Sequence, residues 1–184
     1  MAPRIEPVDV ASNTDPELVA LLAKALLRDD GQPINIFGTL AHHPKLLDRF
    51  NRFGGFLLNR GEVPAREREI VILRVGWRSQ SVYEFGQHTI IGERAGLTAD
   101  EVAALTKDVA DHRWAPGDLA LIGLADELCA NNKVGDSTWQ QLAARWNSTE
   151  LVELVICAGF YRLVSGFLNT IGVELDPGVP GWPT

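Results

Sequence analysis

Glu84 and His88 stand four residues apart in SQSVYEFGQH (79–88), a mainly uncharged run, with Ser81 three residues before the Glu. On a helix, positions i, i+3 and i+7 share a face, so Ser81, Glu84 and His88 align, bracketed by Val82, Phe85 and Ile91. Burial among such neighbours raises a carboxyl pKa, and a nearby imidazolium lowers it. A Glu/His pair there is a proton relay able to work near neutral pH. The plain alternative is an ordinary i,i+4 pair worth about a few tenths of a kcal/mol.

The preceding helix carries Arg66, Glu67, Arg68 and Glu69. Packed antiparallel to the 79–88 helix, it would bring one carboxylate to the same cleft. Glu67 and Glu69 lie on different faces, and spacing does not choose between them. Taken plainly, the RERE run is a solvated face with internal ion pairs. His42 and His43, beside Pro44, read as a helix end, Tyr83 and Tyr161 as core or rim residues, and Asn169 as a cap or pocket residue. Glu84, His88 and His42 or His43 have the atoms for a metal site. A single ExxxH ranks below acid/base chemistry, so no metal is assigned. There is no GxSxG, P-loop or GxGxxG in a fitting context.

The elements that must position these residues read as helices. DPELVALLAKALLRDDG (15–31) places Leu18, Leu21, Leu22, Ala25 and Leu26 on one stripe, with Pro16 in the first turn and Gly31 as stop. QPINIFGTLAHHP is a mixed segment ended by Pro44. PKLLDRFNRFGGFLLNRG is a helix with Leu46, Leu47, Phe50, Phe53 and Leu57 inward, weakened or opened to close packing by Gly54-Gly55. The IVILRV run would suit a buried strand, but its charged, Pro-led start favours a helix. Gly96 ends the helix that carries Glu84. Thr98 and Glu101 have capping-box spacing, and three further helices follow before the Pro/Gly-rich ELDPGVPGWPT, expected over the surface or a neighbouring subunit. Short connections between many helices give an all-α bundle.

The 184 residues fit one domain; 46% are hydrophobic and 22% charged. Net charge is −7 without a basic run, which argues against nucleic-acid and anionic-membrane partners. No apolar stretch is expected to span a bilayer and no signal core is visible, so the expected location is cytoplasmic. Cys129 and Cys157 belong to no CxxC and read as two buried, reduced thiols.

REREIVILRVGWRSQSVYEFGQHTIIGERAGLTADEV resembles the carboxymuconolactone decarboxylase family, which includes alkyl hydroperoxidase D. NIFGTLAHHPKLLDRF and the later helices extend the resemblance over most of residues 33–175. It implies residues 1–32 as an N-terminal helical extension, 33–175 as the family's helical domain and 176–184 as a tail. The peroxidase branch has Glu, eleven residues, Cys-x-x-Cys, three residues, His. Glu69 matches the Glu, Ser81 and Glu84 fall on the cysteines, Tyr83 lies between them, and His88 matches the His. A serine and a carboxylate cannot replace the attacking and resolving thiols.

The resemblance therefore implies the decarboxylase-like branch: a cofactor-free decarboxylase, lyase or isomerase for a small carboxylate or lactone. Glu84, oriented by Glu69 or Tyr83, would move the proton. His88, with an arginine such as Arg74, Arg78 or Arg162, would hold a carboxylate or enolate. The alternatives are a thiol peroxidase using Cys129 or Cys157, and a non-catalytic ligand-binding protein. The implied fold is an alkyl hydroperoxidase D-like bundle that forms a homo-oligomer, trimer or hexamer, with the site near a subunit contact.

Overall fold

The computed structural model describes residues 2–9, 15–28 and 30–183; positions 10–14 and 29 of the expected extension lie outside the described residues. Nine α-helices occur among them: α1 Pro16–Leu22, α2 Asn35–Leu40, α3 Pro44–Asn59, α4 Ala65–Arg78, α5 Val82–Arg94, α6 Ala99–Ala104, α7 Pro116–Asn131, α8 Asp136–Ala143 and α9 Ser148–Ile171. The expected all-α class holds, and no strand is present among the described residues beyond one isolated bridge between Leu27 and Pro33.

The ambiguous IVILRV run is the middle of α4, where every residue from Arg68 to Gly76 is buried. A helix apolar on nearly all sides must be enclosed on all sides, and α4 packs on α5, α7 and α9. Its first turn is fixed from two directions. Arg66 pairs with Asp118 at 3.1 Å and Glu101 at 2.5 Å. The buried Glu153 of α9 accepts the Glu62 and Val63 amides at 2.7 and 3.1 Å. A tight turn with Gln80 at φ 53° reverses the chain into α5. The Thr98/Glu101 capping box starts α6 as expected.

Two expectations near the N-terminus are corrected. The first helix ends at Leu22, not near Gly31. The chain instead makes a small loop in which the Arg28 amide bonds the Gln32 carbonyl at 2.8 Å, and Gly31 supplies the positive φ of 79°. Leu26 is consequently exposed. The inward stripe of α3 is rotated: Leu47, Gly54 and Leu57 are buried, while Leu46 and Phe53 are about half exposed. The periodicity fits both faces, and packing selects the one toward α1 and α2. Leu18 and Leu22 of α1 join Leu47, Tyr83 and Leu168 in one buried cluster.

A third correction concerns α9. Over 24 residues, with mean hydropathy 1.7 in its best window, it is long and apolar enough to cross a membrane. Here it is a core helix, packed against α4, α5, α7 and α8.

The tail after α9 folds back across α5. Asp176, buried, accepts from the Tyr83 hydroxyl (2.5 Å), the Gln87 amide (2.7 Å) and the Asn35 backbone N–H (2.9 Å). Trp182 packs edge-on to Trp77 and against Phe85, both at 5.1 Å. Gly86 is what lets the tail approach, because a Cβ there would overlap the Pro180 carbonyl oxygen.

Candidate active site

Antiparallel packing of α4 on α5 brings Glu69 to His88 across nineteen residues of sequence. The Glu69 carboxylate is fully buried and accepts from Arg68 Nε at 3.1 Å and from His88 Nδ1 at 2.6 Å. On the other side of the ring, His88 Nε2 lies 3.1 Å from Glu84 Oε1, one helical turn back. The imidazole thus bridges two carboxylates, and the Tyr161 ring meets it edge-on at 4.8 Å. Burial pushes the imidazolium pKa down, but the charges and hydrogen bonds of Glu69 and Glu84 outweigh it and raise the value to about 10. His88 is therefore a cation at neutral pH.

Glu84, His88, Arg68 and Tyr161 line a cavity of about 580 Å³ between α2, α3, α4, α5, α9 and residues 24–26 after α1. Its other walls are largely apolar and include Ile36, Phe37, Phe50, Leu58, Ile91 and Phe160. Gly54 lies beside the Phe160 ring, where a Cβ would make ordinary contact at 3.6 Å. That size and lining suit a small organic ligand.

The expected residues do not all meet. Glu69, Glu84 and His88 form one chain of contacts, with Glu84 and His88 at the cavity and Glu69 behind them. Ser81 stands at the N-cap position of α5 but makes no side-chain cap, is fully buried with an unpartnered hydroxyl, and does not line the cavity. Tyr83 does line it, but its hydroxyl donates to Asp176 and accepts from the Ile36 amide at 3.2 Å. Neither Glu69 nor Tyr83 orients Glu84 directly; its partner is His88. His42 bonds the Glu6 carbonyl and His43 caps α3, and neither lines the cavity. Among the described residues no group of three or more His, Cys, Asp or Glu could hold a metal.

The arginines need the largest revision. Arg74 is spent on Asp126, at 2.6 and 2.8 Å, and on the Leu105 and Lys107 carbonyls. Arg78 pairs with Asp126, and Arg162 binds the Leu128 carbonyl and Asn132. The arginines at the cavity are Arg68, buried beside Glu69, and Arg94 at the exposed rim. The only sequence signal of Arg68 was membership of RERE, a run that resembles a solvated face. In the structure Arg66 and Glu67 pair outward, while Arg68 and Glu69 turn in. Tyr161, the other addition, carried no spacing signal.

The bundle is shared with known structures. It is similar to an alkylhydroperoxidase AhpD core protein, an uncharacterized peroxidase-related protein from Ralstonia eutropha JMP134 (TM-score 0.80, 20% identity, covering 95% of this chain and 93% of that one). It is also similar to a peroxidase-related protein from Silicibacter sp. TM1040 (TM-score 0.74, 12% identity, 91% and 96% covered). A third relative in fold is the debrominase Bmp8, solved as a variant with 2,3,4-tribromopyrrole (TM-score 0.75, 12% identity, 96% and 94% covered). No curated protein matches the chain in sequence. Residues 44–127, which hold α4 and α5, match the profile of the Carboxymuconolactone decarboxylase family. That match and the shared bundle support a Carboxymuconolactone decarboxylase/alkylhydroperoxidase D-like family, and the fold is that of the alkylhydroperoxidase D core.

Proposed function

We propose that this protein is an acid/base enzyme, a decarboxylase, lyase or isomerase, that uses its own side chains on a small carboxylate or lactone. The observation that carries it is the Glu69–His88–Glu84 chain, whose Glu84 end opens on an apolar cavity. Glu84 is the base. It takes a proton from carbon next to a carbonyl, and the electron pair moves onto the carbonyl oxygen as an enolate. The cationic His88 stabilises that charge in a water-poor site. Returning the proton to another carbon completes an isomerisation. In decarboxylation the electron pair of the breaking C–CO₂ bond moves onto the carbonyl oxygen, carbon dioxide leaves, and a proton drawn from water through Glu84 is delivered to the carbon left behind. Glu69 keeps the imidazole charged and fixed.

The thiol-peroxidase reading has little support. Burial pushes both the Cys157 and the Cys129 thiol up, away from the thiolate that peroxide attack needs, and neither lines the cavity.

The test is turnover of 4-carboxymuconolactone and a set of β,γ-unsaturated acids, read as release of carbon dioxide or uptake of solvent deuterium into carbon. Glu84→Gln should lower kcat by about 10²- to 10⁴-fold. Equal rates in wild type and variant would remove Glu84 from the mechanism and sink the proposal.

A further inference from the structure

Arg68 is a cation only 7% exposed, yet it is incompletely satisfied. Its Nε donates to Glu69 at 3.1 Å, and its two terminal nitrogens make no hydrogen bond among the described residues. Those nitrogens are not among the sealed, unpartnered polar atoms, so at the cavity wall their donors stay open to an acceptor that enters. Its planar fork matches both oxygens of a carboxylate.

The charge around it has the same sign. The ionisable groups lining the cavity include the cations Lys24, Arg68, Arg94 and His88, and a single carboxylate, Glu84. That surplus is local, because the whole chain carries −7. Lys24 and Arg94 are exposed, and neither forms an ion pair among the described residues. The other candidate arginines are consumed elsewhere, as described above. Opposite the charged floor, Phe37, Phe50 and Phe160 offer ring faces and edges, not further hydrogen bonds.

We propose that Arg68 is the carboxylate-binding residue of this cavity, and that the ligand is a monocarboxylic acid with an aromatic or apolar body. The carboxylate docks on the free Nη atoms of Arg68. The body lies among Phe37, Phe50 and Phe160. Lys24 and Arg94 at the rim draw the anion in, a steering effect that salt weakens. Arg68 touches Glu69, so the anchored acid is held next to the Glu69–His88–Glu84 chain. This deepens the acid/base reading by naming the substrate class for the same cavity. Its test reads binding and requires no turnover.

Isothermal titration near neutral pH with benzoate, phenylacetate and cinnamate, each beside its uncharged amide, decides it. At least one acid should bind, with its amide at least about tenfold weaker. Arg68→Gln should weaken that acid at least about tenfold and leave the amide unchanged, whereas Arg68→Lys, which keeps charge but not the fork, should fall between. Melting curves check that each variant folds. If Arg68→Gln does not fold, Arg94→Gln at the exposed rim should still weaken the acid, more at low salt than at high. The proposal is overturned if no acid binds, if amides bind as well as acids, or if Arg68→Gln weakens both alike. Glu84→Gln should bind the acid as tightly or more tightly. Binding of benzoate, phenylacetate or cinnamate without any turnover would keep this proposal and remove the acid/base reading, and deuterium uptake by a lactone or unsaturated acid unaffected by Arg68→Gln would do the reverse.

Discussion

An imidazole held between two buried carboxylates keeps its proton well past neutrality. His88 has its pKa raised to about 10 in the folded chain, against a reference near 6.5 when unfolded. The sign follows from linkage. The folded state holds this proton more tightly, so the stabilisation is fully present below about pH 6.5 and is lost as pH rises through about 10. A ¹³C-labelled His88 should therefore show no titration around pH 6.5 and a single one near pH 10, which Glu69→Gln should move downward. A His88 shift that titrates near 6.5 in wild type would mean that the carboxylates do not hold the proton. His88 would then be neutral at working pH, unable to stabilise an enolate as a cation. In the proposed mechanism Glu84 accepts the proton and the charged His88 stabilises the enolate.

At the scale of elements, the site depends on how α5 is held from both sides. Gly76 permits its close crossing with α4, where a Cβ would come within 3.3 Å of the Phe85 backbone nitrogen. On the outer side, the tail is latched to α5 by Asp176. Truncating this acceptor leaves the buried Tyr83 hydroxyl and the Asn35 amide without their partner. Asp176→Ala should cost about 2 kcal/mol and lower Tm by about 6 °C. Thermal unfolding followed by circular dichroism measures this. An unchanged Tm would show that the tail is not fastened by this contact. Tyr83 was expected to orient Glu84, yet its phenol is occupied in this latch. Burial, followed by the charge of Asp176, pushes its pKa well above the ordinary value, so it is a hydrogen-bond donor and not a proton carrier.

At the scale of the molecule, we propose that the chain forms a homo-oligomer. Supporting it, Val152, Ile156 and Leu163 are exposed along one face of α9, and Gly159 and Gly166 on the same helix have nothing near their Cβ positions. Large side chains beside gaps of this kind suit helix-to-helix association. Leu163→Arg should lower the mass measured by sedimentation without changing the helical circular dichroism. A wild-type chain that sediments as a monomer would refute the assembly. The same helix explains why hydropathy alone misleads. Its apolar length fits a membrane span, but about half of that surface is buried against neighbouring helices.

The sequence by itself determined the all-α class, the capping box at Thr98, and the Glu84/His88 pair, because helical period and i,i+4 spacing are local properties. Through resemblance it also pointed to Glu69, which lies in contact with His88. Spacing could not separate Glu67 from Glu69, since that depends on which face of α4 meets α5. Only the tertiary structure decided that Arg68 rather than Arg74, Arg78 or Arg162 reaches the cavity. It also decided that Ser81 is shut behind the start of α5, and that Tyr83 serves the tail. Each of these turns on long-range partners: Asp126 for Arg74, Asp176 for Tyr83, and the walls from α3 and α9 that make a cavity beside Glu84. Charge and polarity are written into a residue, but whether its hydrogen-bonding capacity is spent or free is fixed only when distant segments pack together.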